Sequence, residues 1–358
     1  MEQTKRLYMD FHVIQTVPPS CVNRDDTGSP KTAIYGGVQR ARVSSQSWKR
    51  AMRQMFREDF KEDELGVRTK KIVEMVAKEI QQIDDHVEED KARELAEKVL
   101  NACNISTKDG EAKALFFLSV KQAYNLAKLI LENDSPSKKE AQQMILKDHS
   151  VDIALFGRMV ADDPTLNADA AAQVAHSIST HRVDNEYDYF TAVDDMAPED
   201  NAGAGMIGVV EFNSATLYRY ATVAVHELQR ELGEENAVVA EAVAEFAKAF
   251  ITSMPTGKQN TFANRTLPDA VLVTLRRDQP VNLVGAFEKP VKTRDEGYVQ
   301  TSVECLNKYA NRVYASFAKE PEKSWEIGMD GTAEKVDLAG LLREIEKQIT
   351  DDLNAPKE

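Results

Sequence analysis

The spacing of hydrophobic residues predicts alternating strands and helices. Hydrophobic residues recur at every second position from Leu7 to Val13, which is typical of a strand. From Ser44 to Arg57 the spacing changes to three and four residues, as in an amphipathic helix. The expected buried side of that helix is Trp48, Ala51, Met52, Met55 and Phe56. We expect further strands at 151–159, 209–225 and 271–273, and helices at 168–180, 237–251, 281–287, 301–314 and 338–349.

Residues 58–150 differ from the rest of the chain in their sequence pattern. Charged helical segments follow one another there, with breaks at Asp109-Gly110 and at 133–136. The remaining order is strand, helix, insertion, strand, long connection, strand, helix, strand, which is a βαββαβ pattern. The sequence therefore predicts an α+β fold. A ferredoxin-like (RRM-like) arrangement is one option among several α+β folds on this pattern alone.

Length, charge and cysteine content restrict the class of protein. A chain of 358 residues suits one large domain with insertions or two smaller domains. A formal charge of −14 argues against a promiscuous basic nucleic-acid binder, although one basic groove on an acidic surface is compatible with it. The three cysteines are far apart, as expected for free thiols in a reducing compartment. No secretory signal and no membrane-spanning run is recognised, so we expect a cytoplasmic protein without a membrane partner.

One stretch of the chain contains basic residues and no acidic ones. From Lys31 to Arg57 the chain carries seven basic residues and no acid. The glycine pair Gly36-Gly37 and the preceding turn-forming residues predict an open loop with backbone N–H groups available to an anion. Ser44 and Ser45 are good N-cap residues, so the following helix would add its positive end. Lys49, Arg53 and Arg57 form one stripe. Either a track for phosphate groups or an ordinary solvated helix face fits these residues.

Several other motifs have a plain structural interpretation that we favour. GxGxxG at 203–208 spells a dinucleotide fingerprint, but an acidic loop precedes it and a strand pattern follows, so a hairpin tip fits better. Asp25-Asp26 and Asp194-Asp195 could serve a metal-dependent nuclease, yet paired aspartates in loops are commonly turn formers. The six histidines lack zinc-site spacing. We expect no metal or cofactor.

A family resemblance extends this interpretation. SCVNRDDTGSPKTAIYGGVQRARVSSQSWKRAMR, from Ser20 to Arg53, closely resembles the N-terminal signature of the CasC family, the backbone subunits of the type I-E CRISPR surveillance complex, Cascade. The likeness returns at VDIALFGRM, AHSISTHRVDNEYDYFTAVDD, EFNSATLYRYA, GKQNTFA and AFEKPVK. It extends from about Phe11 to about Arg312 and is weakest between Glu58 and Ser150.

The resemblance implies an architecture and a function. CasC-like subunits have an RRM-like palm, here residues 1–57, 151–182 and 214–358. They also have helical fingers, here 58–150, and a β-hairpin thumb, here 183–213. Such subunits are not catalysts: they polymerise along a CRISPR guide RNA and present it for pairing with a target DNA strand. The implied partners are further copies of the chain, other Cascade subunits, and a nuclease that is recruited or fused to a neighbour.

Basic and polar groups in the matching segments are the expected binding residues. For the guide RNA they are Arg24, Lys31, Arg42, Ser44, Gln46, Lys49, Arg50, Arg53, Lys258 and Gln259, with Met159 and Phe190 at a kink in the RNA. For target DNA they are Lys138, Lys139 and Lys147. Two alternatives stay open. One is a metal-dependent RNA-cleaving backbone subunit that uses Asp25 or Asp26, and the other is a monomeric RRM-type regulator.

Overall fold

A computed structural model describes residues 6–160, 163–192, 195–196, 206–233, 236–293 and 296–355. The strands are β1 Tyr8–Ser20, β2 Thr32–Tyr35, β3 Val38–Val43, β4 Gly66–Thr69, β5 Thr107–Lys108, β6 Glu111–Ala112, β7 Phe116–Ser119, β8 Ala172–Val174, β9 Ser177–Ser179, β10 Glu186–Ala192, β11 Met206–Ala224, β12 Ala270–Arg276, β13 Lys323–Ile327 and β14 Glu334–Lys335. The α-helices are α1 Ser45–Asp59, α2 Ile72–Ile83, α3 Glu89–Ala102, α4 Val120–Glu132, α5 Lys138–Ile145, α6 Val151–Phe156, α7 Val225–Leu232, α8 Asn236–Thr252, α9 Gln259–Phe262, α10 Val299–Ser316 and α11 Leu338–Asn354.

The fold is α+β and is built on one large sheet. Its middle strands run in the antiparallel order β12–β1–β11–β9, with β8 also paired to β11. β1 is central: Tyr8 lies opposite both Ala224 of β11 and Arg276 of β12. The sheet continues through β13 and β14 on one side and through β3 and β2 on the other. From Tyr8 to Ile14, β1 therefore has a paired strand on both sides.

Both faces of the central strands are covered. On one face, Phe11 of β1 packs with Trp48 of α1, Phe246 of α8 and Ile345 of α11. On the other face, Ile14 of β1 packs in a second cluster with α10 and the 3-10 turn Leu283–Phe287. The alternation at residues 7–13 thus predicted the strand correctly, and both sides of it are buried.

Helices α2 to α5 form a hydrophobic cluster of their own. Their shared core includes Ile80, Val99, Leu126 and Ile130, as the charged helical segments of the sequence predict. Two small two-stranded sheets, β4–β7 and β5–β6, complete it; the second is a hairpin whose turn is the break at Asp109-Gly110.

Two predicted elements were wrong. Residues 151–159 contain the helix α6 rather than a strand, because a short apolar run has no distinguishing period and all of Val151–Leu155 is buried. Residues 168–180 hold the strands β8 and β9 rather than a helix. Alanine content favours a helix, but pairing with β11 prevails, and exposed Gln173 between buried Ala172 and Val174 gives the period of a strand.

The other predicted elements are confirmed, with one modification. The expected helix at 281–287 is only the five-residue 3-10 turn Leu283–Phe287. The strands expected at 209–225 and 271–273 are β11 and β12, and the helices at 237–251, 301–314 and 338–349 are α8, α10 and α11. In the described part of the chain, no helix is long and apolar enough to cross a membrane.

The glycine pair lies in a hairpin rather than in an open loop. Gly36 and Gly37 have φ of 60° and 77° and connect β2 to β3. A Cβ on Gly36 would lie 1.7 Å from the carbonyl oxygen of Glu288, so this position needs glycine for both conformation and space. The basic stretch therefore divides into a loop at 21–31, the hairpin and α1.

Candidate nucleic-acid interface

Helix α1 begins at a well-formed cap that joins it to the preceding loop. The Ser44 hydroxyl accepts the N–H of Ser47 at 3.4 Å, and the Ser44 N–H donates to Asn23 Oδ1 at 2.9 Å. Trp48 fixes the rotation of the helix, because its indole N–H donates to Ser177 Oγ at 2.9 Å from a buried position. The predicted buried side is confirmed for Trp48, Ala51, Met52 and Phe56, while Met55 is half-buried. Gln46 and Arg50 face outward. Ser44 itself is buried and acts as the cap.

A cleft of about 550 Å³, here the first cleft, lies between residues 22–28, α1 and residues 255–258. Gly257 makes this arrangement possible: a Cβ there would lie 2.0 Å from the carbonyl oxygen of Val22, so the two loops approach too closely for any side chain. The cleft brings together Arg24, Arg50 and Lys258, three of the predicted RNA-binding residues.

The loop at 21–31 does not offer the free backbone donors that we expected. Its N–H groups at Asp25, Gly28 and Lys31 donate to carbonyl oxygens of the same loop. Asp25 Oδ1 accepts the backbone N–H of Thr27 at 2.9 Å, the Thr27 hydroxyl at 2.7 Å and the N–H of Ser29 at 3.1 Å. The bond from the Thr27 hydroxyl, followed by the backbone donors, holds the pKa of this carboxyl below its ordinary value. Asp25 is thus a turn former.

A cleft of about 780 Å³, the second cleft, lies on the other side of α1. Lys49, Arg50 and Arg53 line it from α1, Arg68 from β4, and Met159 from the segment after α6. Met159 is 85% exposed there. With Arg158, five basic side chains line this cleft against one acid, Asp169. In the first cleft Asp25 and Asp26 stand against the three cations. Because Arg50 lines both clefts, they form a continuous surface across α1 with a net excess of basic groups, on a chain of formal charge −14.

The cations of the second cleft are not equivalent. Arg53 Nε lies 3.0 Å from Asp152 Oδ2, and its guanidinium stacks 4.3 Å from the centroid of the Phe117 ring. Burial lowers the pKa of Lys49, whose Nζ lies 5.6 Å from the Phe156 ring centroid. In the described residues, Lys49, Arg50 and Arg68 form no ion pair, so their charge is available to a ligand.

Buried Arg158 positions Met159. Its guanidinium donates to the carbonyl oxygens of Leu166, Phe117 and Ile145 at 2.9–3.2 Å, and burial lowers its pKa to about 10. These bonds tie the segment after α6 to the helical cluster, which leaves the neighbouring Met159 pointing away from the core.

Lys31 and Arg42 form a small basic group beside the first cleft. Both line a depression with Asn23, which also lines the first cleft. Arg42 Nε donates to the carbonyl oxygen of Thr32 at 3.1 Å, and its Nη1 lies 3.2 Å from His176 Nδ1. Desolvation, then Arg42 and Lys31, lower the pKa of His176, so this imidazole is neutral near pH 7.

The remaining predicted residues lie outside both clefts. Phe190 is on β10, where its ring covers Gly208 of β11: a Cβ on that glycine would lie 2.3 Å from Phe190 Cζ. Lys138 Nζ is 3.0 Å from Asp163 Oδ2, and Lys139 and Lys147 are exposed at the two ends of α5. Gln259 begins α9, next to Lys258.

Sequence reasoning missed Arg68 and Asn167 in the second cleft. Neither belongs to a recognisable binding motif, so no local pattern marks it. The pairing of β4 with β7 and the bridge between Arg158 and Ala168 bring them to α1, and only the three-dimensional fold shows this. The described residues contain no cluster of three or more potential metal ligands; Asp194 and residues 203–205 of the GxGxxG motif are outside that set.

Comparison with known proteins places this geometry in a family. A model of the CT1975-like protein family matches residues 9–350. The chain belongs to this family. The CT1975-like chain is 32% identical to a chain of a solved "CRISPR RNA-guided surveillance complex, pre-nicking", with a TM-score of 0.79 over 96% of this chain and 99% of that one. It is 30% identical to a chain of another "CRISPR RNA-guided surveillance complex", with a TM-score of 0.61 and the same two coverages. No curated protein matches the sequence.

Proposed function

We propose that this CT1975-like protein is a non-catalytic backbone subunit of a type I-E Cascade complex, equivalent to CasC. In this proposal several copies polymerise along one CRISPR guide RNA and present it to a target DNA strand for base pairing. The observation that carries the proposal is the continuous basic surface across α1, centred on Arg50. The end-to-end similarity to chains of CRISPR RNA-guided surveillance complexes supports the same function.

The chemistry of the two clefts suits a phosphate backbone. Arg24, Arg50 and Lys258 in the first cleft, and Lys49 and Arg68 in the second, are cations on separate segments along one surface. Such an arrangement holds successive phosphates without reading base edges. A guide RNA with a variable spacer requires that kind of recognition. Exposed Met159 offers an apolar contact to a base at the end of this track.

We further propose the division into palm, fingers and thumb. The antiparallel order β12–β1–β11–β9, with α1 and α8 against one face, supports a ferredoxin-like (RRM-like) palm. The separate core of α2–α5 supports assigning residues 58–150 to the fingers, and the exposed hairpin β10–β11 supports a thumb at 183–213. Phe190 on the thumb and Lys138, Lys139 and Lys147 on the fingers are then contacts made with RNA and target DNA in the assembly.

Assembly on RNA tests the proposal against a monomeric regulator. Purified protein is mixed with single-stranded RNA of increasing length, and the mass of each complex is measured by light scattering after size exclusion. We expect the number of bound copies to rise stepwise with RNA length. One copy per RNA at every length would contradict polymerisation.

The commitment of Asp25 to its own turn favours a non-catalytic subunit over the RNA-cleaving alternative. Incubation of the assembled complex with Mg²⁺ and a complementary target RNA tests this directly. We expect the RNA to stay intact. Cuts at regular spacing that disappear in Asp25→Ala or Asp26→Ala would establish cleavage instead.

A further inference from the structure

A pocket of about 230 Å³ adjoins the first cleft and contains two buried polar side chains without partners. Gln54 and Met55 of α1 line one side, and residues 253–256 and Asn264 line the other. Asn264 is 1% exposed and Ser253 is 3% exposed. In the described structure neither the Asn264 amide nitrogen, nor its amide oxygen, nor the Ser253 hydroxyl has a hydrogen-bond partner. We call this the amide pocket.

Unpaired polar groups of this kind call for a hydrogen-bonding partner. Nearly all buried polar atoms in folded proteins have a hydrogen-bond partner, and a buried group without one destabilises the fold. Here three such atoms belong to residues that line the same pocket. Because no hydrogen bond holds the Asn264 amide, rotation about its side-chain bonds can turn it toward an incoming group.

The amide pocket is continuous with the basic surface. Ala51, Gln54, Pro255 and Thr256 line both the pocket and the first cleft. A chain whose phosphate lies near Arg50 can therefore extend a neighbouring group into the pocket. The walls suit a flat ring, since Met55, Met254 and Pro255 provide apolar surface.

We propose that the amide pocket binds a nucleobase of the RNA through Asn264 and Ser253. A carboxamide presents one donor beside one acceptor. Each base offers the complementary pair on its Watson–Crick edge: adenine N6–H beside N1, guanine N1–H beside O6, cytosine N4–H beside N3, and uracil N3–H beside O4. One asparagine can thus pair with any base, and the site adds affinity without sequence preference. This inference rests on the proposed function.

Binding of two probes to the full-length protein tests the inference. One probe is hexauridylate and the other is a six-unit ribose-phosphate chain without bases. Two added hydrogen bonds predict that wild-type protein binds hexauridylate at least about ten-fold more tightly than the abasic chain. Asn264→Leu should reduce this preference about ten-fold while affinity for the abasic chain is unchanged. Asn260→Leu, on the exposed surface of α9, is the matched control and should keep the preference.

Thermal unfolding separates this role from a structural one. Leucine removes both unpaired atoms at similar volume, so Asn264→Leu should leave the Tm of the RNA-free protein unchanged or raise it. A lower Tm would assign Asn264 to the fold and overturn the inference. Ser253→Ala is the second variant and should reduce the preference for hexauridylate by a few-fold.

The outcomes separate the pocket from the proposed function. Equal affinity of the wild type for both probes would overturn the nucleobase site and leave the basic surface intact. No binding of either probe would reject both. If Asn264→Leu keeps the preference but no longer assembles on long RNA, a segment of a neighbouring copy occupies the pocket, and the nucleobase assignment fails.

Discussion

Arg50 is the residue on which the basic surface depends most, because it alone among the predicted RNA-binding residues lines both clefts. Each phosphate contact to single-stranded nucleic acid contributes about 0.7 to the slope of log K against log salt. At 0.1 M salt this corresponds to about a five-fold contribution to affinity relative to 1 M. We expect Arg50→Gln to weaken RNA binding about five-fold. Arg50→Glu, which adds repulsion of similar size, should weaken it about 25-fold.

Arg57→Glu is the matched control for this experiment. Arg57 is exposed on the same helix and lies outside both clefts. Seven residues separate it from Arg50, which is about 10 Å along the helix axis and about one Debye length at 0.1 M salt. The same charge change there should alter affinity by no more than about two-fold.

Fluorescence anisotropy with labelled single-stranded RNA of two unrelated sequences measures these effects between 50 and 300 mM salt, about the range over which counterion release is steep. The salt slope should fall by about 0.7 in Arg50→Gln, equally for both sequences. Equal losses in Arg50→Glu and Arg57→Glu would refute a localised surface. A loss for only one of the sequences would refute recognition through the backbone alone.

Three further predictions concern the fold that supports the site. Arg53→Ala should lower the free energy of unfolding in urea by about 2 kcal/mol, because it leaves the buried carboxylate of Asp152 without its cation. Burial raises the pKa of Asp10 from 3.8 to about 6, so the folded protein retains this proton as pH rises from 4 to 6 while the unfolded chain loses it. Relative to Asp10→Asn, the wild type should therefore lose at most about 3 kcal/mol of stability over that range. Gly36→Ala should lower the Tm, since its Cβ would overlap the carbonyl oxygen of Glu288.

Each of these has a result that would contradict it. Arg57→Ala is the control for Arg53→Ala, and equal stability of the two variants would mean that the ion pair with Asp152 contributes nothing. Parallel pH profiles for wild type and Asp10→Asn would show that this carboxyl has an ordinary pKa. Gly37→Ala has left-handed strain but no atom within 4 Å of its Cβ, so a Tm equal to that of Gly36→Ala would mean that the contact with Glu288 is unimportant.

Local patterns in the sequence predicted those parts of the fold that local interactions determine. The cap at Ser44 and the spacing of Trp48, Ala51 and Met52 set the start and rotation of α1, and both follow from neighbours within a few residues. The secondary structure predicted for residues 151–159 and 168–180 was wrong for the opposite reason. Long-range packing of α6 and pairing of β8 and β9 with β11 decide their conformation, and single-sequence periodicity does not contain that information.

The candidate site divides in the same way. Lys49 and Arg53 were predictable because they lie four residues apart on one helix stripe, whereas Arg50 followed from the family resemblance and Arg57 of the stripe lies outside both clefts. Tertiary structure pairs Arg53 with Asp152, which is 99 residues away in the sequence. It also brings Arg68 into the second cleft. The expected anion-binding loop failed because Asp25 and neighbouring carbonyl groups bind the backbone N–H groups themselves. The amino-acid composition of a loop does not show whether its backbone N–H groups are free or already hydrogen-bonded within the loop.

Native mass spectrometry of the assembled particle shows whether several copies of this chain bind one guide RNA. The protein is produced together with the neighbouring operon products and a guide RNA, purified, and weighed intact. We expect a multi-subunit particle that holds several copies of this chain on one RNA, and Arg50→Glu should reduce the yield of that particle while Arg57→Glu does not. Recovery of a monomer free of RNA under the same conditions would rule out assembly on the guide.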